Sequence, residues 1–375
     1  MSLQFSSPAK DFVPEALAYS LELTRKNLAN LTSFPEYAKD GKWTCGDDGG
    51  WTGSHWTGLL WLAYTHTGDA ALESAAREWT ARLAPRQNDD STHDLGFLFE
   101  LSYILGAKLT GDASLKPPAL QAARTLTLRF NEKGKFFQAW GPLGGTADQR
   151  GRAIIDTMMN LDLLFWASQE TGERKFADMA TAHAHTALKR HLRADGSTSH
   201  VIDFNPDTGE FIQQDTHQGL NATSCWSRGQ SWALYGFAEC YRETGDAAFL
   251  DAARHLVEYC LRRLPPDRVP YWDYDSPLIP NDVRDSSAAS ILASGMLNLA
   301  RLDPDAAKAE RWRVEAVTIL ESLWRNYSSC GTNEPCILLH GTRSKPHGSL
   351  DHGLIYGDYY FVEALTRVIK PDIGL

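Results

Sequence analysis

A short turn sequence recurs four times along the chain and restricts its fold more than any other feature. Thr-Gly-Asp or Thr-Gly-Glu follows an apolar run each time, and a large apolar residue comes three positions after the acid. Glycine ends helices well because it accepts the left-handed cap conformation, and an acid suits the start of the next helix. The repeat therefore predicts helical hairpins. Its copies are Thr67-Gly68-Asp69 before Leu72, Thr110-Gly111-Asp112 before Leu115, Thr171-Gly172-Glu173 before Phe176, and Thr244-Gly245-Asp246 before Phe249.

Each hairpin pairs an apolar inner helix with a striped, more polar outer helix such as 14–28, 70–83 or 247–262. Strand signals are sparse and are confined to residues 136–140 and 199–204. We expect an all-α (α/α)6 toroid of six inner and six outer helices, with residues 1–375 forming a single catalytic domain. The predicted inner helices are 53–67, 93–110, 153–171, 227–244, 285–302 and 357–369.

Composition excludes several classes of function. The net charge of -10 argues against nucleic-acid binding, which favours a basic face. No apolar run is long enough to span a bilayer, and Met1–Phe5 lacks the basic start of an export signal, so we expect a cytoplasmic protein without membrane contact. The six cysteines contain no C-x-x-C pair, and no histidine motif for metal binding or glycine-rich nucleotide loop is present. We therefore expect neither a metal nor a cofactor.

Polar and glycine-rich clusters precede or open the predicted inner helices. Because the inner helices of such a ring run in the same direction, these clusters share one rim, which we interpret as a binding site. Helix N-termini favour anions, and the planar guanidinium of Arg228 suits a carboxylate. The alternative for Arg228 is an ion pair with a rim aspartate. The clusters are residues 47–56, 91–97, 149–156, 216–232, 284–287 and 356–360.

Two acids are the candidates for chemistry. Asp94 opens the second predicted inner helix, and Asp156 opens the third within an otherwise apolar stretch, with Asn160 four residues later on the same face. Two carboxyl groups in one poorly solvated site cannot both ionise cheaply, so one keeps its proton near neutral pH. Sugar-cleaving enzymes use this arrangement. The alternative is that both acids are helix caps.

Eight motifs follow one another in a fixed order along the chain. They are WTG at 51–53, HDLGF at 93–97, QAWG at 138–141, RAIID at 152–156, THQG at 216–219, WSRGQSW at 226–232, RDSS at 284–287 and GDYY at 357–360. Together they resemble the unsaturated glucuronyl hydrolases of glycoside hydrolase family 88. The resemblance extends from about Trp43 to Arg367, nearly the whole chain. The related unsaturated rhamnogalacturonyl hydrolases are similar but fit less well around the second and sixth motifs.

The resemblance implies a substrate and a role for each site residue. Asp156 would be the general acid and base, and Asp94 the second essential acid. The substrate would be an oligosaccharide with a non-reducing-terminal 4,5-unsaturated uronic acid, and the protein a monomer or homodimer without a cofactor. In the loop 340–349, Arg343 and Lys345 either bind a sulfate on the next sugar or form a solvated basic surface. The other implied contacts are Trp51, His93, Trp140, His200, Gln218, Trp226, Arg228 and Trp232.

Three other classes of function remain open on the sequence alone. An ordinary inverting glycosidase also needs two acids but cleaves saturated sugars. A sugar epimerase on the same fold would use paired histidines and cleave nothing. A non-catalytic carbohydrate-binding protein would explain the twelve tryptophans, but it would not explain acids within apolar segments.

Overall fold

Helices dominate the computed structural model, which describes residues 11–371 and residue 373. A π-helical turn, Glu100–Ile104, joins α4 to α5, and short 3-10 helices cover Ala84–Asn88, Ala113–Leu115, Ile155–Asn160 and Lys345–His347. The α-helices, in chain order, are α1 (Phe12–Leu28), α2 (Gly53–Thr67), α3 (Ala70–Arg82), α4 (Leu95–Phe99), α5 (Leu105–Thr110), α6 (Lys116–Thr127), α7 (Ala147–Arg150), α8 (Asp162–Thr171), α9 (Arg174–Arg190), α10 (Ser227–Thr244), α11 (Ala247–Arg263), α12 (Ser286–Leu302), α13 (Ala306–Tyr327) and α14 (Ile355–Ile369).

The inner helices form a closed ring. The segment α4–α5, together with α2, α8, α10, α12 and α14, makes up this ring, and α14 packs against α2 to close it. The helices α1, α3, α6, α9, α11 and α13 lie outside, and the apolar side chains between the two layers form one continuous core. This arrangement confirms the predicted all-α (α/α)6 toroid.

The four Thr-Gly-acid turns connect inner to outer helices as predicted. Their glycines all adopt the left-handed conformation, with φ between 65° and 75°. At the fourth turn, the backbone N–H of Asp246 donates to the Thr244 hydroxyl at 3.1 Å, and the Asp246 carboxylate accepts from the N–H of Ala248. The threonine and the acid therefore both satisfy backbone groups, which explains why the turn uses these residues.

Three small antiparallel sheets lie in the loops that lead to the inner helices. Their strand orders are β2-β1-β8, β3-β4 and β5-β6-β7. In the third sheet Ile154 lies opposite Val201. The strands are β1 (Phe34–Lys39), β2 (Lys42–Gly46), β3 (Phe130–Asn131), β4 (Phe136–Phe137), β5 (Arg152–Ile154), β6 (Val201–Phe204), β7 (Phe211–Asp215) and β8 (Gly353–Leu354).

The third inner helix differs from the prediction. Residues 153–171 were expected to form one helix, but strand β5 and a 3-10 helix, Ile155–Asn160, precede α8. The reason is pairing with β6, which continues as the Ile155 N–H donates to the His200 carbonyl at 3.0 Å. Asn160 does not face a common cavity with Asp156, because its Oδ1 accepts from the Phe97 N–H at 2.8 Å.

The sequence also led to expectations about an export signal at the N-terminus and about segments that cross a membrane. Met1–Phe5 lies outside the residues that the structure describes. Within residues 11–371 and 373, no helix combines the length and the apolar character needed to cross a bilayer.

Candidate active site

A cavity of about 410 Å³ opens at the rim where the inner helices begin. It brings together both predicted acids and most of the residues expected to bind substrate. Its floor and walls come from segments that are distant in the sequence. The lining residues are Trp51, His93, Asp94, Phe97, Trp140, Ile154, Asp156, His217, Gln218, Arg228, Arg343, Ser344, His347 and Ser349.

Asp156 lies in the 3-10 helix that follows β5, with its side chain 14% exposed. Its Oδ2 atom is buried and accepts no hydrogen bond from the described residues. Burial raises the pKa of Asp156 to about 7, while the nearby Arg228 charge lowers it and the Asp94 charge raises it. The carboxyl group is therefore about half protonated at neutral pH and can serve as an acid and as a base.

His200 lies directly beside this carboxyl group. Its Nδ1 accepts hydrogen bonds from the backbone N–H groups of His217 and Gln218, both at 3.1 Å. Burial, followed by the charge of His217, holds the pKa of His200 well below its usual range, so the ring is neutral. A neutral ring that accepts at Nδ1 carries its proton on Nε2. That atom lies 3.5 Å from Asp156 Oδ2, so His200 presents an N–H to the acid.

Asp94 stands at the start of α4 but makes no capping hydrogen bond to it. The Thr92 hydroxyl donates to Asp94 Oδ2 at 2.8 Å, and His93 Nε2 lies 3.4 Å from Asp94 Oδ1. The His93 ring is held in turn by a 2.8 Å hydrogen bond between its Nδ1 and the Thr157 hydroxyl. The carboxylate is thus oriented toward the cavity and not toward the helix, which disfavours the cap interpretation.

Arg228 forms an ion pair with an aspartate of the rim, which was the alternative to carboxylate binding in the sequence analysis. Its Nη1 lies 2.6 Å from the buried Asp285 carboxylate, and its guanidinium stacks over Trp226 at 4.5 Å. It also donates to the Thr342 and Arg343 carbonyls at 2.6 and 2.5 Å. Arg228 therefore anchors the loop 341–352, which we call the strap loop, while still lining the cavity.

Aromatic rings form two walls of the cavity. Trp51 packs against Tyr356 with ring centroids 4.9 Å apart. Trp140, His217 and His347 follow one another at 5.5 and 4.6 Å. Flat apolar faces beside hydrogen-bonding groups suit a sugar ring.

Besides His200, which lies beside Asp156, three residues expected in the site do not line the cavity. Trp232 lies one turn below Arg228 on α10, where it is fully buried against Phe97 and Tyr360. Trp226 lies under the cavity between the His200 ring and the Arg228 guanidinium. These positions correct the prediction that both tryptophans face the sugar, because their rings are needed to fill space beneath polar groups.

Lys345 is the third of these residues. Its ammonium forms an ion pair with the buried Asp282 and lies over the Trp272 ring at 5.2 Å. Arg343 does line the cavity, although it pairs with Glu36 on β1. Of the two basic residues of the strap loop, only the arginine is therefore placed to contact a ligand.

Several lining residues were not among the predicted contacts. Phe97 belongs to the HDLGF motif, so its position next to Asp94 could have indicated it. The strap loop folds back on itself through the Gly341–His352 and Ser344–Ser349 bridges, which no local signal reveals. The missed lining residues are Phe97, Ile154, Ser344, His347 and Ser349, and His217, which also lines the cavity, belongs to the THQG motif. Among residues 11–371 and 373, no group of three or more His, Cys, Asp or Glu side chains could hold a metal ion.

Two carboxyl groups in an aromatic-walled rim cavity are the arrangement that glycoside hydrolases use, and the comparisons with known proteins place the chain in this class. The family described as Glycosyl Hydrolase Family 88 matches residues 24–293. The chain belongs to this family, which confirms the resemblance found in the sequence.

Similar proteins cover almost the whole chain. An unsaturated chondroitin disaccharide hydrolase of Streptococcus pyogenes serotype M1 is 36% identical, covering 96% of this chain and 92% of its own length. An unsaturated glucuronyl hydrolase of Bacillus sp. strain GL1 is also 36% identical, with coverage of 96% and 97%. Among solved structures, an aspartate-to-asparagine variant of the Streptococcus agalactiae unsaturated glucuronyl hydrolase, complexed with dGlcA-GalNAc6S, superposes with a TM-score of 0.85 at 30% identity, covering 98% and 94% of the two chains.

The burial of Asp156 predicts a pH-dependent stability difference. Because its pKa is raised to about 7, the folded protein holds a proton between about pH 4 and 7 that the unfolded chain releases. The stability that this bound proton contributes is fully present below about pH 4 and is lost as the pH rises through about 7. We expect Asp156→Asn to gain stability relative to wild type over this range, by on the order of 4 kcal/mol.

Urea unfolding of both proteins at several pH values between 4.5 and 8 measures this difference. Asp207→Asn, which removes an exposed carboxyl group, is the matched control and should change stability little at any pH. Parallel pH dependence of wild type and Asp156→Asn would show that the carboxyl group ionises normally in the folded protein.

Proposed function

We propose that this chain removes a 4,5-unsaturated uronic acid from the non-reducing end of lyase-derived oligosaccharides, with Asp156 as acid and then base. The observation that carries the proposal is a cavity-lining carboxyl group with a pKa near 7 and an oxygen that accepts no hydrogen bond from the described residues. The similarity to unsaturated glucuronyl and chondroitin disaccharide hydrolases supports this substrate class. We further propose that residues 1–375 form one catalytic domain.

The reaction begins at a carbon–carbon double bond. In the unsaturated sugar, C4=C5 and the ring oxygen form a vinyl ether, whose C4 accepts a proton from Asp156. The positive charge that results is shared between C5 and the ring oxygen. Water then attacks C5 and gives its proton to the Asp156 carboxylate, which restores the acid.

Cleavage of the glycosidic bond follows from the product of hydration. Water addition makes a hemiketal at C5, which opens by breaking the bond between C5 and the ring oxygen. C1 then carries a hydroxyl group and the remaining sugar, and this hemiacetal collapses to an aldehyde as the sugar leaves. An ordinary inverting glycosidase attacks C1 instead and needs no double bond.

His200 and Asp94 act on the protonation of Asp156 in different ways. The His200 Nε2 atom lies 3.5 Å from Asp156 Oδ2 without a hydrogen bond between them, and the dipole of its N–H group favours the carboxylate in the basic form. Asp94 raises the pKa of Asp156 by its negative charge, and the same charge favours the cation that develops at C5. These two effects act on the same proton transfer.

Binding of the unsaturated sugar draws on the rest of the cavity. We assign Trp51 and Trp140 to the faces of the sugar ring, and Arg228 and Gln218 to its carboxylate and hydroxyl groups. His93 holds Asp94, while Trp226 and Trp232 support this layer from below. The cytoplasmic location and the monomeric or homodimeric state stay predictions.

Loss of Asp156 should abolish the reaction selectively. We expect Asp156→Asn to lower kcat on an unsaturated disaccharide at least ~10²-fold, because asparagine cannot transfer the proton. Wild-type kcat should fall as the pH rises through about 7, where the acid form is depleted. Loss of the ultraviolet absorbance of the C4=C5 bond measures both effects.

Asp358→Asn is the matched control for this experiment. Burial raises the pKa of Asp358 to about 8, yet its oxygens accept the Ile337 and Leu338 N–H groups and do not line the cavity. The folded variant should keep a kcat close to wild type. Equal absorbance loss by wild type and Asp156→Asn would remove Asp156 from the acid role.

The strap loop generates a prediction about the second sugar. If a sulfate there reaches the loop, Arg343→Met should raise KM for the sulfated disaccharide about tenfold relative to the unsulfated one, because a charge-assisted hydrogen bond is lost. Lys345→Met is the control and should not change this ratio, since Lys345 is held by Asp282. Steady-state kinetics on both substrates measures the ratio, and a larger effect of Lys345→Met would reverse the assignment.

A further inference from the structure

Arg129 is a buried arginine without an acidic partner. It follows α6 and is only 2% exposed, and among the described residues it forms no ion pair, although the charges of Asp94, Asp90 and Asp89 act on it from a greater distance. Desolvating a charge is costly when no opposite charge compensates it. An apolar residue of similar volume would avoid this cost, so the charge itself calls for an explanation.

The guanidinium of Arg129 joins two loops. Its Nε donates to the Gln138 carbonyl at 2.8 Å, and its Nη1 donates to the carbonyls of Gly141, at 3.2 Å, and Asp90. The first two carbonyls flank Trp140, and the third lies four residues before Asp94. Arg129 thereby fastens the loop that carries one wall of the cavity to the loop that carries the second acid.

Backbone pairing strengthens the same junction. Thr92 and Trp140 form an antiparallel bridge, and the His93 N–H donates to the Ala139 carbonyl at 3.1 Å. The Arg129 guanidinium adds hydrogen bonds to carbonyl groups on both sides of this pairing. The relative position of Asp94 and Trp140 therefore depends on the backbone pairing together with one planar side chain.

The charge of Arg129 also acts on Asp94. Burial lowers the pKa of Arg129 to about 10, and the Asp94 charge is the largest influence that raises it. The arginine is still a cation at neutral pH, so the attraction between the two side chains favours the position in which the structure places Asp94. The Nη2 of Arg129 is buried and makes no hydrogen bond to the described residues.

We propose that Arg129 is a positioning residue of the reaction, which holds the loop of Asp94 in place against the loop of Trp140. The proposal rests on the function proposed above, in which the charge of Asp94 supports protonation by Asp156. Other titratable and charged groups also line this part of the cavity and remain in place when Arg129 is changed. They are His93, Asp156, His217, Arg228, Arg343 and His347.

The test compares two variants of the full chain with wild type and a control. Arg129→Met removes the charge and the fork, whereas Arg129→Lys keeps the charge alone. Arg254→Met is the matched control, because Arg254 makes two hydrogen bonds to Asp303 at the opposite end of α12. The measurements are kcat and KM on the unsaturated disaccharide, with thermal unfolding to establish the folded fraction.

We expect Arg129→Met to lower kcat by about 10²-fold with little change in KM, the cost of a misplaced catalytic group. Arg129→Lys should lower kcat less, because it keeps the charge. The proposal is overturned if Arg129→Met changes KM alone, or if its kcat falls no more than that of Arg254→Met.

Hydrogen exchange separates this inference from the proposed reaction. Without substrate, the amides of residues 89–94 and 138–142 should exchange faster in Arg129→Lys and Arg129→Met than in wild type and Arg254→Met. If Arg129→Met does not fold, Arg129→Lys gives the same comparison. If the amides of the Arg129 variants exchange no faster than those of wild type, Arg129 does not hold the two loops together, whether or not the enzyme is active. If they exchange faster but the wild-type protein does not act on the unsaturated disaccharide, the proposed reaction is wrong and the role of Arg129 in holding the loops stands.

Discussion

The site depends on the burial of the Asp156 carboxyl group. Folding removes this group from water, and its Oδ2 atom accepts no hydrogen bond from the described residues. Ionising such a group costs free energy, so it retains its proton up to about pH 7. The nearby groups all act on this property: His200 presents an N–H, Asp94 adds negative charge, and Arg228 partly offsets both burial and repulsion.

The helical ring makes this burial possible. Tight Thr-Gly-acid turns close four of the hairpins at the end opposite the cavity, which leaves the longer loops and small sheets at the rim. Strands β5 and β6 then seat Asp156 and His200 side by side. The Arg228–Asp285 pair fixes the strap loop above them, so the cavity has walls from segments far apart in the chain.

Local signals in the sequence predicted the ring well. The turns and the bounds of α2 and α10 agree with the structure, because caps and helical periodicity act over a few residues. Features that need a distant partner were missed or left open. The helix expected at Ala153 is a strand because β6 pairs with it, and Arg228 pairs across 57 residues with Asp285. Trp232 looked like a sugar contact because a sequence motif does not tell the cavity face of a helix from its core face.

The most direct test of the account follows the proton itself. Wild-type enzyme acting on an unsaturated disaccharide in D₂O should produce a sugar with one deuterium at C4 in a single configuration, read by NMR in the first turnovers. In the same experiment the double bond should disappear no later than the glycosidic bond breaks. Release of the second sugar while the C4=C5 bond is intact would show direct attack at C1 and would contradict protonation by Asp156.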